Sequence, residues 1–386
     1  NTTPMYDTWA EQGAVFGAKY GLEVANYFAA QDEADYETPT FRRSNAFDAT
    51  AREVMAVRKS VGINEVHNFG KYRITGANAR GWLDRIMAGR IPKQGRISLA
   101  PMLSPKGKML GDFTVTCLSE TEFLLTASFG MQAIHMRWFE QHKDDGITIE
   151  NVSTSRIGFQ IAGPNARKVL SACTLDDVTH DALKFLDARE VQLGRLKALV
   201  QRVSYTGDLG YEIYVDAEDQ LKLYKILTHT GRAYNMKPFG MRAMMSLRLD
   251  RFFGSWNAEF SPDYMPAETG MDRFMAYDKS VDYIGKAAAL AERDAGPARK
   301  LCTFEVDASD ADVNAYEPIW LDGKVIGFCT SGGYSHYTGK SIAYGFVPTE
   351  TVRPDLEVQI EILGEMRPAK RIETMPFDPE YQRMRS

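Results

Sequence analysis

Tyr72-Arg73-Ile74-Thr75-Gly76-Ala77-Asn78-Ala79-Arg80 is echoed by Gly158-Phe159-Gln160-Ile161-Ala162-Gly163-Pro164-Asn165-Ala166-Arg167, roughly ninety residues further along the chain. Each stretch reads as a strand of alternating apolar positions, a glycine turn, and an asparagine placed to cap a helix entered through Ala-Arg. Two such β-turn-α units predict a duplicated organisation, with chance likeness between short patterns as the alternative. Between them, Met109 to Cys117 and Glu122 to Ala127 read as strands and Met131 to His142 as a helix. A second set follows, with strands at Ala198 to Tyr205 and Tyr211 to Val215 and a helix from Gln220 to Asn235. Strands and helices in this order predict an α+β fold.

Working outward, residues 1–48 are rich in aromatic and small residues but carry little periodicity, and read as an arm with one short helix that packs on something. Val54, Met55, Val57 and Val61 fall at helical spacing and predict an amphipathic helix from Ala49 to Val61 that opens the unit spanning 49–294. Asp294-Ala295-Gly296-Pro297 reads as a linker. Beyond it, residues 298–386 turn strand-like and Gly-rich, with Asp322-Gly323 as a hairpin turn between Ile319-Trp320-Leu321 and Val325-Ile326-Gly327-Phe328. That region predicts a small β-barrel.

With 386 residues, 25% of them charged and 44% hydrophobic, the chain has the composition of a multidomain globular protein. A formal charge of −5 with scattered Lys and Arg argues against nucleic acid as a partner. Cys117, Cys173, Cys302 and Cys329 lie far apart with no CxxC, so buried free thiols are expected and no metal site. No apolar run reaches the roughly 18 residues of a membrane helix and no signal pattern opens the chain, which predicts no membrane partner and a cytoplasmic location. The first residue is not Met, so a preceding segment was removed or the chain is a fragment of something longer.

Three stretches carry candidate chemistry. Asp112 sits in the otherwise apolar strand Phe113-Thr114-Val115-Thr116-Cys117, where a carboxylate is costly to bury unless it is hydrogen-bonded or has a task; taken alone it reads equally as a strand-end Asp facing water. Ser204-Tyr205-Thr206-Gly207-Asp208-Leu209-Gly210-Tyr211-Glu212 reads as strand, turn and strand, a hairpin that sets Tyr205 and Glu212 on one wall, or an ordinary surface hairpin. A glutamate there accepts two hydrogen bonds from an amide-and-amine edge, and tyrosine offers a flat face and a hydroxyl. Met241, Met244, Met245 and Leu249 form a helical stripe that reads as core, with Arg242 and Arg248 free to pair with carboxylates of the protein or of a ligand. No P-loop, GxSxG, HExxH or N-terminal GxGxxG is present, so the chain has no dinucleotide motif of its own.

Asp112 behind Met102-Leu103-Ser104-Pro105-Lys106-Gly107, the Tyr205 to Glu212 hairpin, Ser246-Leu247-Arg248-Leu249-Asp250, Tyr264-Met265-Pro266-Ala267-Glu268-Thr269-Gly270, Tyr283-Ile284-Gly285-Lys286 and Thr330-Ser331-Gly332-Gly333-Tyr334 together resemble the glycine-cleavage T-protein (aminomethyltransferase) superfamily. The resemblance covers about residues 49 to 380. The arm from Pro4 to Gly17 and Phe253-Gly254-Ser255-Trp256 look like the folate-binding C-terminal half of dimethylglycine and sarcosine dehydrogenases. The resemblance implies three domains in a ring around a central folate channel, with a C-terminal barrel. It implies tetrahydrofolate as cofactor, Asp112 at the reacting end, Glu212 on the pterin edge, Tyr205 lining the pocket, and Arg242 or Arg248 on the folate tail. Leu99 stands where the T-protein has a tyrosine and Met244 where it has a folate arginine. The activity implied is one-carbon transfer from a methylated amine, giving methylene-tetrahydrofolate. FAD would come only through a flavin amine dehydrogenase partner or a missing N-terminal half, and the location would be the mitochondrial matrix in a eukaryote. A standalone demethylase acting on N-, S- or O-methyl compounds and a non-catalytic folate-binding assembly or repair factor are the alternatives.

Overall fold

In the strand Met109–Ser119 the side chains of Phe113, Val115 and Cys117 enter a core shared with Trp82, Leu83 and Ile86 of the helix Ala79–Ile86 and with Phe139 of the helix Gln132–Gln141. The period of two then turns Asp112, Thr114 and Thr116 to the opposite face. The computed structural model, which describes residues 1–386, builds this strand into an antiparallel five-stranded sheet in the order Ile97–Leu103, Met109–Ser119, Glu122–Ser128, Phe69–Thr75, Thr148–Asn151. Ile97–Leu103 is an edge strand, and so it tolerates Pro101 directly opposite Asp112.

A six-stranded sheet is ordered Ala188–Leu193, Leu196–Gln201, Gly210–Asp216, Arg156–Ala162, Gly62–Glu65, Lys237–Pro238, antiparallel except for its last pair. Phe159, Ile161, Val200 and Ile213 face a core covered by the helices Ala166–Ala172 and Gln220–Gly231, into which the arm inserts Met5 and Trp9. The other face carries a polar row in register across four strands: Gln201 opposite Glu212, Glu212 opposite Gln160, Gln160 opposite Asn64. The two sheets meet across these faces. Ile97 and Leu124 of the first pack with Ala188, Leu199 and Tyr214 of the second, and the Gln201 amide donates to Thr116 Oγ1 at 3.0 Å.

Both echoed stretches are strand-turn-helix units, Phe69–Thr75 into Ala79–Ile86 and Arg156–Ala162 into Ala166–Ala172. Gly163 is required: it sits at φ +131°, and a Cβ there would lie 2.4 Å from the Ser60 and Val57 carbonyl oxygens. The expected asparagine caps do not form. Neither Asn78 nor Asn165 makes a side-chain cap bond, and Asn165 instead donates to Ser60 Oγ at 3.1 Å.

Other boundaries shift for identifiable reasons. The arm holds the helix Tyr6–Glu11 and, unexpectedly, a hairpin of Ala14–Lys19 and Leu22–Phe28, turned at Tyr20 (φ +53°) and Gly21 (φ +80°). The first long helix begins earlier, at Ala46, and ends at Lys59. The expected strand Ala198 to Tyr205 stops at Gln201, so residues 202–209 form a loop. Asp294 and Ala295 belong to the helix Lys286–Ala295, and the chain breaks only at Gly296 (φ +78°). Residues Arg299 to Ile372 form a closed six-stranded barrel, with Asp322 (φ +50°) and Gly323 (φ +73°) in the expected hairpin turn. All four cysteines are free and buried, and no helix is long and apolar enough to cross a membrane.

The helix Ala46–Lys59 brings Arg58 into the centre of the molecule. Its guanidinium, fully buried, pairs with Asp208 at 3.0 Å and Asp250 at 3.3 Å and lies 3.7 Å from the Phe377 ring centroid. Arg383 reaches back to the same Asp208 at 2.8 Å. Removing one member of a buried ionic cluster strands the others without compensation. Arg58→Met should therefore lower the unfolding free energy by about 3–5 kcal/mol in chemical denaturation.

Candidate functional site

The facing sheets place Asp112 and Glu212 on opposing walls. Thr116, in contact with Gln201, lies four residues beyond Asp112 on the same face, a separation along the strand of about 13 Å. Glu212 is the direct cross-strand neighbour of Gln201. The two carboxylates thus mark the two ends of one stretch of inter-sheet surface. Each is set by strand register, not by a flexible loop.

Asp112 is half-buried, and the protein packed around it pushes its carboxyl up to about 7, opposed only by a backbone hydrogen bond to its own amide. The segment leading to it is anchored from behind. His135 bridges Leu110 O, at 3.0 Å from Nε2, and the Tyr72 hydroxyl, at 3.0 Å from Nδ1, and burial holds this imidazole down at about 4. A neutral ring between a carbonyl and a hydroxyl carries its proton on Nε2 and accepts on Nδ1.

Glu212 is 8% exposed. Burial raises its carboxyl to about 6, while the Tyr214 hydroxyl, which donates to it at 2.7 Å, and the Lys71 ammonium pull the other way. Tyr205 is on the loop that follows the strand, not on the strand itself. Its hydroxyl donates to Gly254 O at 2.6 Å and its ring stacks on Phe253 at 5.9 Å between centroids. Burial pushes the Tyr205 phenol up to about 12, with Arg248, Glu259 and Asp112 among the charges that act on it. Tyr205 therefore belongs with Asp112 and Arg248.

Arg248 and Arg242 part company. Arg248 is fully buried and donates to Glu259 at 2.9 Å, Phe253 O at 2.7 Å and Ser331 Oγ at 2.8 Å. Glu259 also accepts from Thr330 Oγ1 at 2.6 Å and the Ser255 amide at 2.9 Å, so this one ion pair joins the helix Met241–Leu249, the loop 251–260 and the barrel. Arg242 is exposed and pairs with Glu37 of the arm, with its Nη2 2.8 Å from Oε2. In the methionine stripe, Met244 and Leu249 are buried and Met241 and Met245 only partly so.

The sequence reading missed Lys71, Tyr214 and Glu259. Lys71 carried the same signal that singled out Asp112, a charge within an apolar strand, and Tyr214 is two residues from Glu212 on the same face. Glu259 carried no signal, because its barrel partners Thr330 and Ser331 lie 71 and 72 residues further along the chain.

Comparison with known proteins gives two matching family models, the GCVT N-terminal domain over residues 5–279 and the glycine cleavage T-protein C-terminal barrel domain over residues 299–378. The human mitochondrial dimethylglycine dehydrogenase is 34% identical over 93% of the chain, which spans only 42% of that relative's length. An aminomethyltransferase of Natranaerobius thermophilus is 30% identical over 86% of the chain and 90% of its own length. The crystal structure of the glycine cleavage system aminomethyltransferase T from Bartonella henselae superposes with a TM-score of 0.84 at 22% identity, over 98% of each chain.

The different settings of the two arginines predict different costs. Arg242→Ala should change stability by less than about 1 kcal/mol, as for an exposed pair. Arg248→Ala, which leaves Glu259 buried and unpaired, should cost about 3–5 kcal/mol, both read from urea unfolding midpoints.

Proposed function

Because the chain belongs to the glycine-cleavage T-protein family, we propose that it is a tetrahydrofolate-dependent one-carbon transferase that captures the carbon of a methylated amine, of the dimethylglycine or sarcosine kind, as methylene-tetrahydrofolate. The oxidation of the amine is assigned to a flavin amine dehydrogenase, either a partner subunit or a segment joined to this chain, and FAD enters only there. The observation that carries the reading is the Asp112 carboxylate, half-buried without an ionic partner on the wall that faces Glu212. The likeness to dimethylglycine dehydrogenase supports the amine donor, and the likeness to aminomethyltransferases supports the transfer.

Tetrahydrofolate, when bound, supplies the nitrogens that take up the one-carbon unit. The residues divide the remaining work. Glu212, ionised, accepts the N–H edge of the pterin and fixes its orientation. Tyr205, locked by Gly254 and Phe253, offers its face to the pocket. With tetrahydrofolate bound, Asp112 would orient the folate nitrogens and, as a carboxylate in a partly desolvated setting, would offset positive charge developing beside it. Arg248, held by Glu259, keeps the barrel against this wall. Arg242 is the candidate for a folate tail that competes with Glu37 for its guanidinium.

The test is to incubate the protein with tetrahydrofolate and methylated amines or sulfonium compounds, with and without a flavin amine dehydrogenase, and to identify the folate product. Methylene-tetrahydrofolate formed only with the dehydrogenase is expected; methyl-tetrahydrofolate formed by the chain alone would replace this reading with direct demethylation. Asp112→Asn should lower turnover by about 100-fold or more while leaving tetrahydrofolate affinity within a few-fold. Since the ionised form is the active one and its carboxyl is raised to about 7, turnover should climb as pH rises through that value, and the climb should vanish in the Asn variant.

A further inference from the structure

Lys71 is an anomaly that the proposed reaction does not use. It lies in the strand Phe69–Thr75, whose neighbouring Tyr72 enters the core of the first sheet, so Lys71 points the other way, toward the second sheet. Its side chain is 0% exposed, yet its ammonium, with three donors, makes one hydrogen bond, to Phe69 O at 2.9 Å. Lysine is almost never buried in this way unless it is paired. The Nζ lies 5.8 Å from the centroid of the Tyr214 ring, and the Tyr214 hydroxyl is bonded to Glu212 at 2.7 Å.

Titratable groups face this ammonium from two sides. On the strand Gly210–Asp216 they are Glu212 and the neutral Tyr214 phenol; on the segment 62–67 they are Glu65 and His67. Glu65 is already engaged, accepting from Trp9 Nε1 at 3.0 Å and Gln220 Nε2 at 2.6 Å, with His67 Nδ1 3.5 Å away. Burial pushes His67 down, so it adds no positive charge near neutral pH. Glu212 has only the Tyr214 hydroxyl. Glu212 and Lys71, each with a single hydrogen bond, are therefore the least satisfied carboxylate and ammonium of the group.

We propose that Lys71 is a positioning residue for Glu212: its buried ammonium, set behind the Tyr214 ring, keeps the Glu212 carboxylate ionised and so ready to accept the N–H edge of a pterin. The inference rests on the assignment of Glu212 to pterin binding. Burial pulls the two groups toward each other, Glu212 up to about 6 and Lys71 down to about 7, which leaves a band in which both are charged. Without the ammonium, the same desolvation acts on Glu212 with one fewer opposing influence, and its carboxyl rises further. Binding that needs the carboxylate is lost as pH falls through that value.

The experiment is the pH dependence of tetrahydrofolate affinity, measured anaerobically by calorimetry on the full chain from pH 5.5 to 9, with folding of each variant followed by thermal melting. In the wild type the acid limb should fall near pH 6. In Lys71→Met it should move up by about one unit, giving about threefold weaker binding at pH 6.5, approaching tenfold at pH 5.5, and near-normal affinity at pH 8.5. Lys71→Arg, which retains the charge, should hold the wild-type limb, and Lys71→Gln serves as the neutral variant if the Met form melts too low. A neutral variant with a lower melting temperature but an unmoved acid limb would overturn the proposal, since a purely structural lysine behaves that way. A Glu212→Gln variant that binds tetrahydrofolate as tightly as the wild type would overturn the pterin assignment itself, and the role of Lys71 with it.

Discussion

Two β-sheets that bury polar side chains against each other must settle their charges locally, because water is not there to do it. This constraint organises the centre of the molecule. Each sheet uses one face for an apolar core and turns the other toward its neighbour, so Asp112, Thr116, Lys71, Gln201 and Glu212 are all confined to one seam. Unpaired charge in such a seam is expensive. Arg58 finds partners in Asp208 and Asp250, whereas Asp112 has no ionic partner, and burial raises its carboxyl as it does that of Glu212. Shifted groups in an otherwise well-satisfied interior are the places where a ligand finds complementary chemistry.

The rest of the architecture serves to hold that seam in register. One of the ion pairs that fasten the barrel is Arg248 with Glu259, whose carboxylate gathers hydrogen bonds from Thr330, Ser331 and Ser255. The arm is fastened on one side through Trp9, buried in the second core and bonded to Glu65, and on the other through Arg43, which pairs with Asp312 and lies 4.3 Å from the Tyr334 ring centroid. A forked guanidinium suits both junctions because it satisfies several acceptors from a single rigid plane.

The duplicated strand-turn-helix pattern and the barrel were legible in the sequence because they depend on local signals: alternation, and glycine where φ is positive, as at Gly163 and Gly323. The strand positions of Asp112 and Glu212 were legible too, the first from a carboxylate amid apolar strand residues and the second from the aromatic-flanked strand after a Gly-Asp turn. The arm hairpin was missed because Val15, Leu22, Val24 and Tyr27 alternate over runs too short to outweigh the aromatic residues between them. The strand through Tyr205 was drawn too long because apolar alternation continues past Gln201, where the ladder ends. Neither asparagine cap formed, although the Asn165 amide group is tied to Ser60 Oγ. The bonds from Thr330 and Ser331 to Glu259 cross 71 and 72 residues of chain, and no local pattern records such a partnership.

The Arg58 cluster has a consequence for how the chain acquires its structure during synthesis. Arg383 donates to Asp208 and to the backbone oxygen of Arg58, 325 positions upstream, and Phe377 covers the same guanidinium. The helix and loop that carry Arg58 and Asp208 leave the ribosome long before residues 377–383 exist. Until those residues arrive, Arg58 lacks the Phe377 ring and Asp208 lacks its second guanidinium. A nascent chain halted between the second sheet and the barrel would therefore carry this buried ionic cluster with part of its compensation missing.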